Sequence, residues 1–334
     1  MPNPAGAGTT PAKNTCAMLD VVGIGEAMLR LSPPRGETLE AAAAFEVRAA
    51  GAEANVAVAL ARMGFRTGWI SRLADGPLGR RIAAELRRHG VDLAAVVWTP
   101  QARTGLYFLE PGVPPRAAAV HYDRAGSAAS ALGPDDVDWT YVRRARWIHL
   151  TGITPALSAS CAATTARAIQ EARAAGVHVA FDVNYRRRLW SAARARAALD
   201  PLLAGADLVI CASDDAREVF ALDGPAGAQA AALRARTGAG AAVVTAGRDG
   251  AYLARDGSVV HEPAIPGEEL DRIGRGDAFA AGVLWGALEE DLGAGLRYGA
   301  ALAALAQTYY GDIAWSTRAD VLHLLADRGL RPDR

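Results

Sequence analysis

The residues with the clearest chemical potential lie near the C-terminus, where Asp-Arg-Ile-Gly-Arg-Gly-Asp occupies positions 271–277 ahead of a long apolar segment. Glycine at 274 and 276 lets the backbone approach a ligand closely, and the first amides of a helix that starts here have no intrahelical partner. Together with the helix dipole, such amides form an anion site. The pattern therefore predicts that the backbone of Gly274, Arg275 and Gly276 binds an anion such as a phosphate group.

Asp277 falls in the first turn of this predicted helix, and its role has two interpretations. As an ordinary N-terminal helix acid, it stabilises the helix dipole by about 0.3–1 kcal/mol. As a general base beside an anion loop, it removes the proton from a hydroxyl group that attacks a phosphoryl group. Short Gly-x-Gly-Asp sequences are common, so the spacing alone leaves both interpretations open.

The composition excludes several other classes of enzyme. The chain has 334 residues, and Lys13 is the single lysine among its 36 basic residues. No lysine in the interior of the chain is therefore available to bind a phosphate, to form a Schiff base or to act as a nucleophile. This excludes Walker A proteins, protein kinases, pyridoxal-phosphate enzymes and lysine aldolases. Acidic and basic residues balance at 36 each, so the net charge gives no reason to expect nucleic acid or an anionic membrane as a partner.

Cysteine and histidine usage is typical of a cytoplasmic protein without a metal cage of its own. Cys16, Cys161 and Cys211 are far apart and form no Cys-x-x-Cys pair. The six histidines lack metal-ligand spacing. No segment has the pattern of a signal peptide, and the apolar stretch 278–288 is too short to span a bilayer.

Strand-like and helix-like segments alternate after a tail rich in proline, glycine and threonine over residues 1–18, which we expect to be flexible. Repeated β–α units predict a mostly parallel sheet with helices on both faces. The predicted strands cover 20–25, 67–73, 146–150, 177–182, 206–211 and 241–245. The predicted helices cover 52–63, 77–89, 158–175, 214–222, 275–290 and 293–310.

Two regions, 27–49 and 103–124, break this alternation. They contain short extended pieces with no helix between them, which is typical of hairpins. We expect a small β-sheet over the edge of the main sheet that acts as a lid, because binding loops gather at the carboxyl ends of parallel strands.

Two segments resemble the paired signatures of the ribokinase-like sugar kinases, the phosphofructokinase B family. Gly-Arg-Gly-Asp at 274–277 resembles their Gly-Ala-Gly-Asp signature, and Ala-Gly-Ala-Glu-Ala-Asn-Val-Ala at 50–57 resembles their Gly-Gly-Ala-x-x-Asn-x-Ala signature, in the family's order. The resemblance implies a ribokinase-like three-layer α/β/α fold with a mostly parallel central sheet and a small β-sheet lid, as one kinase domain over residues 19–330. It also implies Asp277 as the base, ATP and Mg²⁺ as cofactors, and a homo-oligomer joined through lid strands.

Within that family, four further segments resemble those of the kinases of 2-keto-3-deoxygluconate. The similar segments are Thr-Gly-Leu-Tyr at 104–107, Tyr-Asp-Arg-Ala-Gly-Ser-Ala at 122–128, His-Leu-Thr-Gly-Ile-Thr-Pro-Ala-Leu at 149–157 and Asp-Val-Asn-Tyr-Arg at 182–186. The resemblance implies transfer of the γ-phosphoryl group of ATP to the 6-hydroxyl of this sugar acid. The implied substrate site consists of Gly51, Asn55, Tyr107, Tyr122, Arg124, Ile153, Arg186 and Asp312.

The resemblance assigns the acid end of the substrate to Arg124 and Arg186, and a planar guanidinium suits a carboxylate well. The neighbouring Arg187 and Arg188 are expected to be solvated or sheet-end charges. The two tyrosines either pack along the sugar chain or serve only as lid packing.

The resemblance also implies that ATP binds at Ser213 and at the glycine-rich loop 245–250. This loop could also be a tight turn between two strands. The members of that loop are Thr245, Gly247 and Gly250. Ser-Asp-Asp-Ala at 213–216 departs from the family's Asn-x-x-Glu, whose acid helps to hold Mg²⁺. The replacement acid could be Asp214, Asp215 or Glu218. Arg275 replaces the alanine of the second signature, and could reach a phosphate or point to solvent.

Three other functions compete with this interpretation. A ribokinase-family kinase for fructose or ribose has the same signatures, and a non-catalytic sugar-acid-binding protein would tolerate the two departures. Gly-Ile-Gly at 23–25 suggests a dinucleotide-dependent oxidoreductase. That motif lacks its third glycine and the acid about 20 residues further on, which makes the oxidoreductase the weakest alternative.

Overall fold

The computed structural model describes residues 18–113 and 115–327. The tail predicted over 1–18, Met18 apart, and the last three residues of the predicted kinase domain lie outside the described residues. The strands are β1 (Leu19–Ile24), β2 (Met28–Ser32), β3 (Glu46–Ala50), β4 (Thr67–Ile70), β5 (Arg72–Ala74), β6 (Val97–Thr99), β7 (Leu106–Glu110), β8 (Ala119–Asp123), β9 (Ala145–Thr151), β10 (His178–Asp182), β11 (Leu208–Ala212), β12 (Ala241–Thr245), β13 (Ala251–Arg255) and β14 (Ser258–Glu262).

The helices alternate with the strands for most of the chain. They are α1 (Ala52–Arg62), α2 (Pro77–Arg88), α3 (Trp139–Val142), α4 (Thr154–Leu157), α5 (Ala159–Ala174), α6 (Ala192–Leu203), α7 (Ser213–Phe220), α8 (Ala226–Thr237), α9 (Arg275–Leu288), α10 (Leu292–Ala306) and α11 (Arg318–Ala326). Within the described ranges, none of these helices is both long and apolar enough to cross a membrane.

The central sheet has eight strands in the order β14-β13-β12-β11-β10-β9-β1-β4. The strands from β12 to β4 are parallel, and β13 and β14 extend one edge as an antiparallel hairpin. Neighbouring residues of a strand enter cores on opposite faces. Val22 belongs to the core that includes Leu199 of α6, whereas Val21 belongs to the core that includes Leu284 of α9. The predicted α/β/α class and mostly parallel sheet are confirmed.

The lid is a separate four-stranded sheet in the order β3-β2-β7-β8. Two antiparallel hairpin-like pairs, β2 with β3 and β7 with β8, are joined by parallel pairing of β2 with β7, where Leu29 lies opposite Leu106. The chain passes from Ile24 at the end of β1 to Met28 at the start of β2. Only three residues therefore connect the central sheet to the lid, so the two sheets meet at a short junction.

The structure corrects one predicted strand. Residues 67–73 form two strands that separate at Ser71, because β4 pairs with β1 in the central sheet whereas β5 pairs with β6 in a two-stranded sheet. The sequence interpretation also omitted helices α6, α8 and α11 and the β13–β14 hairpin.

Candidate active site

A cavity of about 920 Å³ lies where the lid meets the carboxyl ends of the central strands. Ligands of open α/β sheets bind at this end of the strands. Except for Ser213, every residue predicted for the site lines the cavity. These residues are Gly51, Asn55, Tyr107, Tyr122, Arg124, Ile153, Arg186, Thr245, Gly247, Gly250, Gly274, Arg275, Gly276, Asp277 and Asp312.

The start of helix α9 presents unpaired amides to this cavity. Gly274 precedes the helix with φ +81°, and a Cβ there would lie 2.1 Å from the carbonyl oxygen of Asp312, so the position requires glycine. The first intrahelical bond runs from Ala278 N to Gly274 O at 2.9 Å. The amides that precede this bond belong to Arg275, Gly276 and Asp277. The sequence predicted the backbone of Gly274, Arg275 and Gly276, so the set is shifted by one position along the chain.

Asp277 stands in the first turn of α9 with its carboxylate held from the start of α1. Asn55 Nδ2 donates to Asp277 Oδ2 at 2.7 Å. Burial raises the pKa of Asp277 to about 7, although the Asn55 hydrogen bond and the charge of Arg186 favour the ionised form. A carboxyl group with a pKa near neutrality is suited to act as a general base.

Among the other carboxylates that line the cavity, Asp182 and Asp215 also have raised pKa values. Burial raises the pKa of Asp182, at the end of β10, to about 8, with repulsion from Asp277 and Asp215 adding to the shift. Burial also raises the pKa of Asp215, in the first turn of α7, to about 6. Arg186 lowers the pKa of all three acids, so it is the cation that partly balances this acidic wall. Sequence reasoning missed Asp182 as a site residue, although an acid at the carboxyl end of a buried parallel strand is a usable signal.

The arginines of the predicted acid-binding end have different surroundings. Arg124 donates Nε and Nη2 to Glu26 Oε2, and its guanidinium lies 5.7 Å from the ring centre of Tyr122. Arg186 is exposed on the cavity wall. Arg187 is bound to Glu218 on α7 instead.

Tyr107 and Asp312 belong to a buried cluster that connects the lid to the start of α9. The Tyr107 hydroxyl donates to Asp312 Oδ1 at 2.7 Å, and Arg30 on β2 donates to Asp312 Oδ1 at 2.9 Å and to Asp271 Oδ2 at 2.5 Å. Asp271 in turn accepts from the amides of Ile273 and Gly311. Because of burial, the pKa of Asp312 is raised, and Arg30 offsets part of that shift. No local pattern in the sequence indicates this role for Arg30.

The loop 245–250, which the resemblance assigns to the nucleotide, is a turn between two strands and also lines the cavity. Its binding of the nucleotide stays a prediction. Ser213 itself does not line the cavity, although its neighbours Ala212 and Asp214 do, because its hydroxyl is turned to Gln229 and donates to Gln229 Oε1 at 2.6 Å. The Arg275 side chain lies along the cavity wall, with Nη1 3.4 Å from Gln307 Oε1 and 3.7 Å from Glu269 Oε1. Across the described ranges, no set of three histidine, cysteine or acidic side chains is arranged to hold a metal ion by itself.

The fold is that of a phosphotransferase that acts on carbohydrates. Residues 18–319 match the model of the pfkB family carbohydrate kinases, and the chain belongs to that family. It is 43% identical to the 2-dehydro-3-deoxygalactonokinase of Haloferax volcanii, over 92% of this chain and 96% of that one. It is 36% identical to the 2-dehydro-3-deoxygluconokinase of Thermoproteus tenax, over 82% of each chain.

A solved structure of a carbohydrate kinase has the same fold. The 2-dehydro-3-deoxygluconokinase of Thermotoga maritima superposes with a TM-score of 0.87 at 30% identity, covering 92% of this chain and 98% of that one. The family resemblance inferred from the two signatures is therefore confirmed. The chain is a carbohydrate kinase, and membership in this kinase family implies that it uses ATP. The oxidoreductase alternative is wrong.

Proposed function

We propose that this kinase transfers the γ-phosphoryl group of ATP to the 6-hydroxyl of 2-keto-3-deoxygluconate, also called 2-dehydro-3-deoxygluconate. The observation that supports this most strongly is the combination of groups in one cavity. Arg124 and Arg186 supply guanidinium donors for a carboxylate, while Asp277 supplies a base beside the unpaired amides of α9. A small sugar acid has a carboxylate and a terminal hydroxyl to match these groups.

Several cavity residues would bind the acceptor. Arg124 and Arg186 take the carboxylate, because a guanidinium donates charge-assisted hydrogen bonds to it. Tyr122 presents an exposed ring for contact with the carbon chain. The Asp312 carboxylate accepts hydrogen bonds from the hydroxyl groups of the sugar chain. The Tyr107 hydroxyl donates to this carboxylate and orients it. Gly51, Asn55 and Ile153 complete the wall.

Asp277 removes the proton of the 6-hydroxyl while that oxygen forms its bond to the γ-phosphorus. The bond between the γ-phosphorus and the bridging oxygen of ADP breaks in the same displacement. The amides of Arg275, Gly276 and Asp277 donate hydrogen bonds to the phosphoryl oxygens and stabilise their charge. Such a base typically contributes about 10²–10⁴ in rate. Closure of the lid excludes water, which would otherwise accept the phosphoryl group.

The residues at the start of α7 fit a Mg²⁺ ion that arrives with ATP. Asp214 and Asp215 line the cavity, whereas Glu218 does not, so the acid that replaces the family's glutamate is one of these two aspartates. Carboxylate oxygens are the ligands that Mg²⁺ prefers. When bound, Mg²⁺ neutralises charge on the phosphate groups. We place the nucleobase beside the apolar residues of the cavity wall, which are Ile265, Pro266, Ala300, Ala303 and Ala304.

The relatives support a 2-keto-3-deoxy sugar acid and favour a second candidate within this class. The relative from Haloferax volcanii is named for the galactonate compound, and it has a higher identity to this chain than the relative from Thermoproteus tenax, which is named for the gluconate compound. The two acids differ in configuration at C4 only. Location in the cytoplasm and a homo-oligomer joined through the lid strands stay predictions.

An acceptor panel tests this proposal. Purified protein with ATP and Mg²⁺ is given 2-keto-3-deoxygluconate, 2-keto-3-deoxygalactonate, fructose and ribose, and ADP release is measured. We expect kcat/KM for at least one keto-deoxy acid to exceed that for either neutral sugar by about 100-fold or more, because two charge-assisted contacts are lost with the carboxylate. The ³¹P-coupled ¹³C spectrum of the product should place the phosphate on C6. Faster turnover of fructose or ribose would contradict the proposal.

A further inference from the structure

Glu26 lies at the junction where the chain leaves the central sheet for the lid, between β1 and β2. Its side chain is 1% exposed, yet it lines the cavity. A buried carboxylate at the edge of a ligand cavity requires partners, because its desolvation is costly. The identity of those partners suggests a role for Glu26 in the recognition of the acceptor.

The partners of Glu26 both come from the segment that follows lid strand β8. Oε2 accepts hydrogen bonds from Arg124 Nε at 2.8 Å and from Arg124 Nη2, and Oε1 accepts from Ser127 Oγ at 2.5 Å. The planar guanidinium has five N–H groups, and Glu26 occupies the edge formed by Nε and Nη2. Within the described part of the chain, no hydrogen bond engages Arg124 Nη1. The Nη1 side of Arg124 is therefore available to a ligand in the cavity.

The backbone around this pair is equally constrained. A Cβ on Gly105 would lie 2.8 Å from Glu26 Oε1, and a Cβ on Gly51 would lie 2.2 Å from the Glu26 carbonyl oxygen. Arg103 donates to the carbonyl groups of residues 123 and 125, on either side of Arg124. Separate chain segments thus fix both the backbone and the side chain of Arg124.

We propose that Glu26 is a positioning residue for acceptor recognition, which holds the Arg124 guanidinium so that Nη1 faces the carboxylate of the sugar acid. This inference rests on the proposed function, because it takes Arg124 as a ligand of that carboxylate. A long arginine side chain loses rotamer entropy when it binds a ligand, and a fixed partner removes that cost before binding. Glu26 therefore acts on acceptor affinity, and it leaves ATP binding and the proton transfer to Asp277 unaffected.

Steady-state kinetics of a double-mutant cycle test this role. Glu26→Gln should raise KM for the keto-deoxy acid about tenfold, the effect of one charge-assisted hydrogen bond, while KM for ATP and kcat change less than about threefold. In an Arg124→Gln background, Glu26→Gln should change the acceptor KM less than about twofold, because Glu26 acts through Arg124. An equal rise in KM with and without Arg124 would overturn the proposal.

Glu171→Gln is the matched control. Glu171 is also a largely buried carboxylate bound by arginines, Arg143 and Arg167, but it lies on α5 away from the cavity. Its substitution should leave the acceptor KM unchanged, and an effect equal to that of Glu26→Gln would show that the Glu26 effect is general destabilisation. If Glu26→Gln does not fold, Ser127→Ala removes one hydrogen bond from the same carboxylate and should raise the acceptor KM about two- to threefold. An unchanged KM in Ser127→Ala would then overturn the proposal.

The wild-type protein separates this inference from the proposed function. If wild-type enzyme turns over a keto-deoxy acid and Glu26→Gln has the same acceptor KM, the role of Glu26 is wrong and the proposed function stands. If wild-type enzyme turns over no sugar acid at all, the proposed function fails and the inference fails with it.

Discussion

Asn55 Nδ2 donates a hydrogen bond to Asp277 Oδ2 at 2.7 Å, and so connects the start of α1 to the start of α9. The two residues are 222 positions apart and belong to the two separate signatures of the sequence. Because the bond is made to the carboxylate, it favours the ionised form of Asp277 and partly opposes the rise in pKa caused by burial. The first signature thus supports the carboxylate contributed by the second, which we propose as the base.

Substitution of Asn55 should alter the pH dependence of catalysis. The base must be ionised, so kcat/KM should rise as pH passes through the pKa of Asp277, about 7, coupled to the titration of the neighbouring Asp182. Asn55→Ala removes a hydrogen bond to the charged form, which raises that pKa. The acidic limb of the kcat/KM profile should therefore move upward by about one pH unit. An acidic limb at the wild-type pH would show that the bond has no effect on the base.

Arg186 and Arg187 form a matched pair of neighbouring arginines with different expected roles. Arg186 lowers the pKa of Asp277 and lines the cavity, whereas Arg187 is bound to Glu218. Arg186→Ala should raise the acceptor KM about tenfold or more and move the acidic limb of kcat/KM to higher pH. Arg187→Ala should leave the acceptor KM and the acidic limb unchanged. Equal effects in the two variants would contradict the assignment of Arg186 to the site.

The two glycines at the start of α9 should respond differently to alanine. A Cβ at Gly274 would lie 2.1 Å from Asp312 O, at a backbone φ of +81°, whereas a Cβ at Gly276 would meet nothing within 4 Å. Gly274→Ala should therefore lower the melting temperature and abolish activity. Gly276→Ala should melt like wild type but lose kcat, because its Cβ projects where the phosphoryl group must approach the amides. Full activity in Gly276→Ala would contradict an anion site at this position.

The buried cluster around Arg30 should contribute strongly to stability. Arg30→Met leaves the carboxylates of Asp271 and Asp312 buried without a cation, which should cost about 3–5 kcal/mol in the free energy of unfolding measured with urea. The loss should diminish at low pH, because a protonated Asp312 no longer requires the guanidinium. Arg48→Gln breaks an exposed ion pair with Glu46 in the same lid and should cost less than about 1 kcal/mol. A similar loss of unfolding free energy in both variants would contradict a special contribution of the buried Arg30 cluster to stability.

The sequence predicted those parts of the site that depend on short-range geometry. The glycines, the helix start and Asp277 lie within four residues, so the local pattern was sufficient to place them. The lid strands were also recognisable as short extended pieces without helices between them. The parallel pairing of β2 with β7 was not recognisable from the sequence, because it joins residues that are far apart in the chain.

What the sequence could not predict depends on distant pairing. Glu26 binds Arg124 across 98 positions, and Arg30 binds Asp312 across 282, so no local pattern marks either residue. Helices α6 and α8 are rich in alanine, which gives weak contrast between buried and exposed faces. The break at Ser71 arises because β4 and β5 pair in different sheets, which is decided by tertiary structure rather than by local preference.

In the proposed mechanism, Asp277 removes the proton from the acceptor hydroxyl. The most direct test compares Asp277→Asn with wild type in kcat for 2-keto-3-deoxygluconate and in the acceptor Kd measured by calorimetry. Asparagine preserves the size of the side chain but cannot take the proton, so kcat should fall by about 10²-fold or more while the acceptor Kd changes less than about threefold. A variant that retains kcat within about threefold of wild type would contradict the assignment of Asp277 as the base.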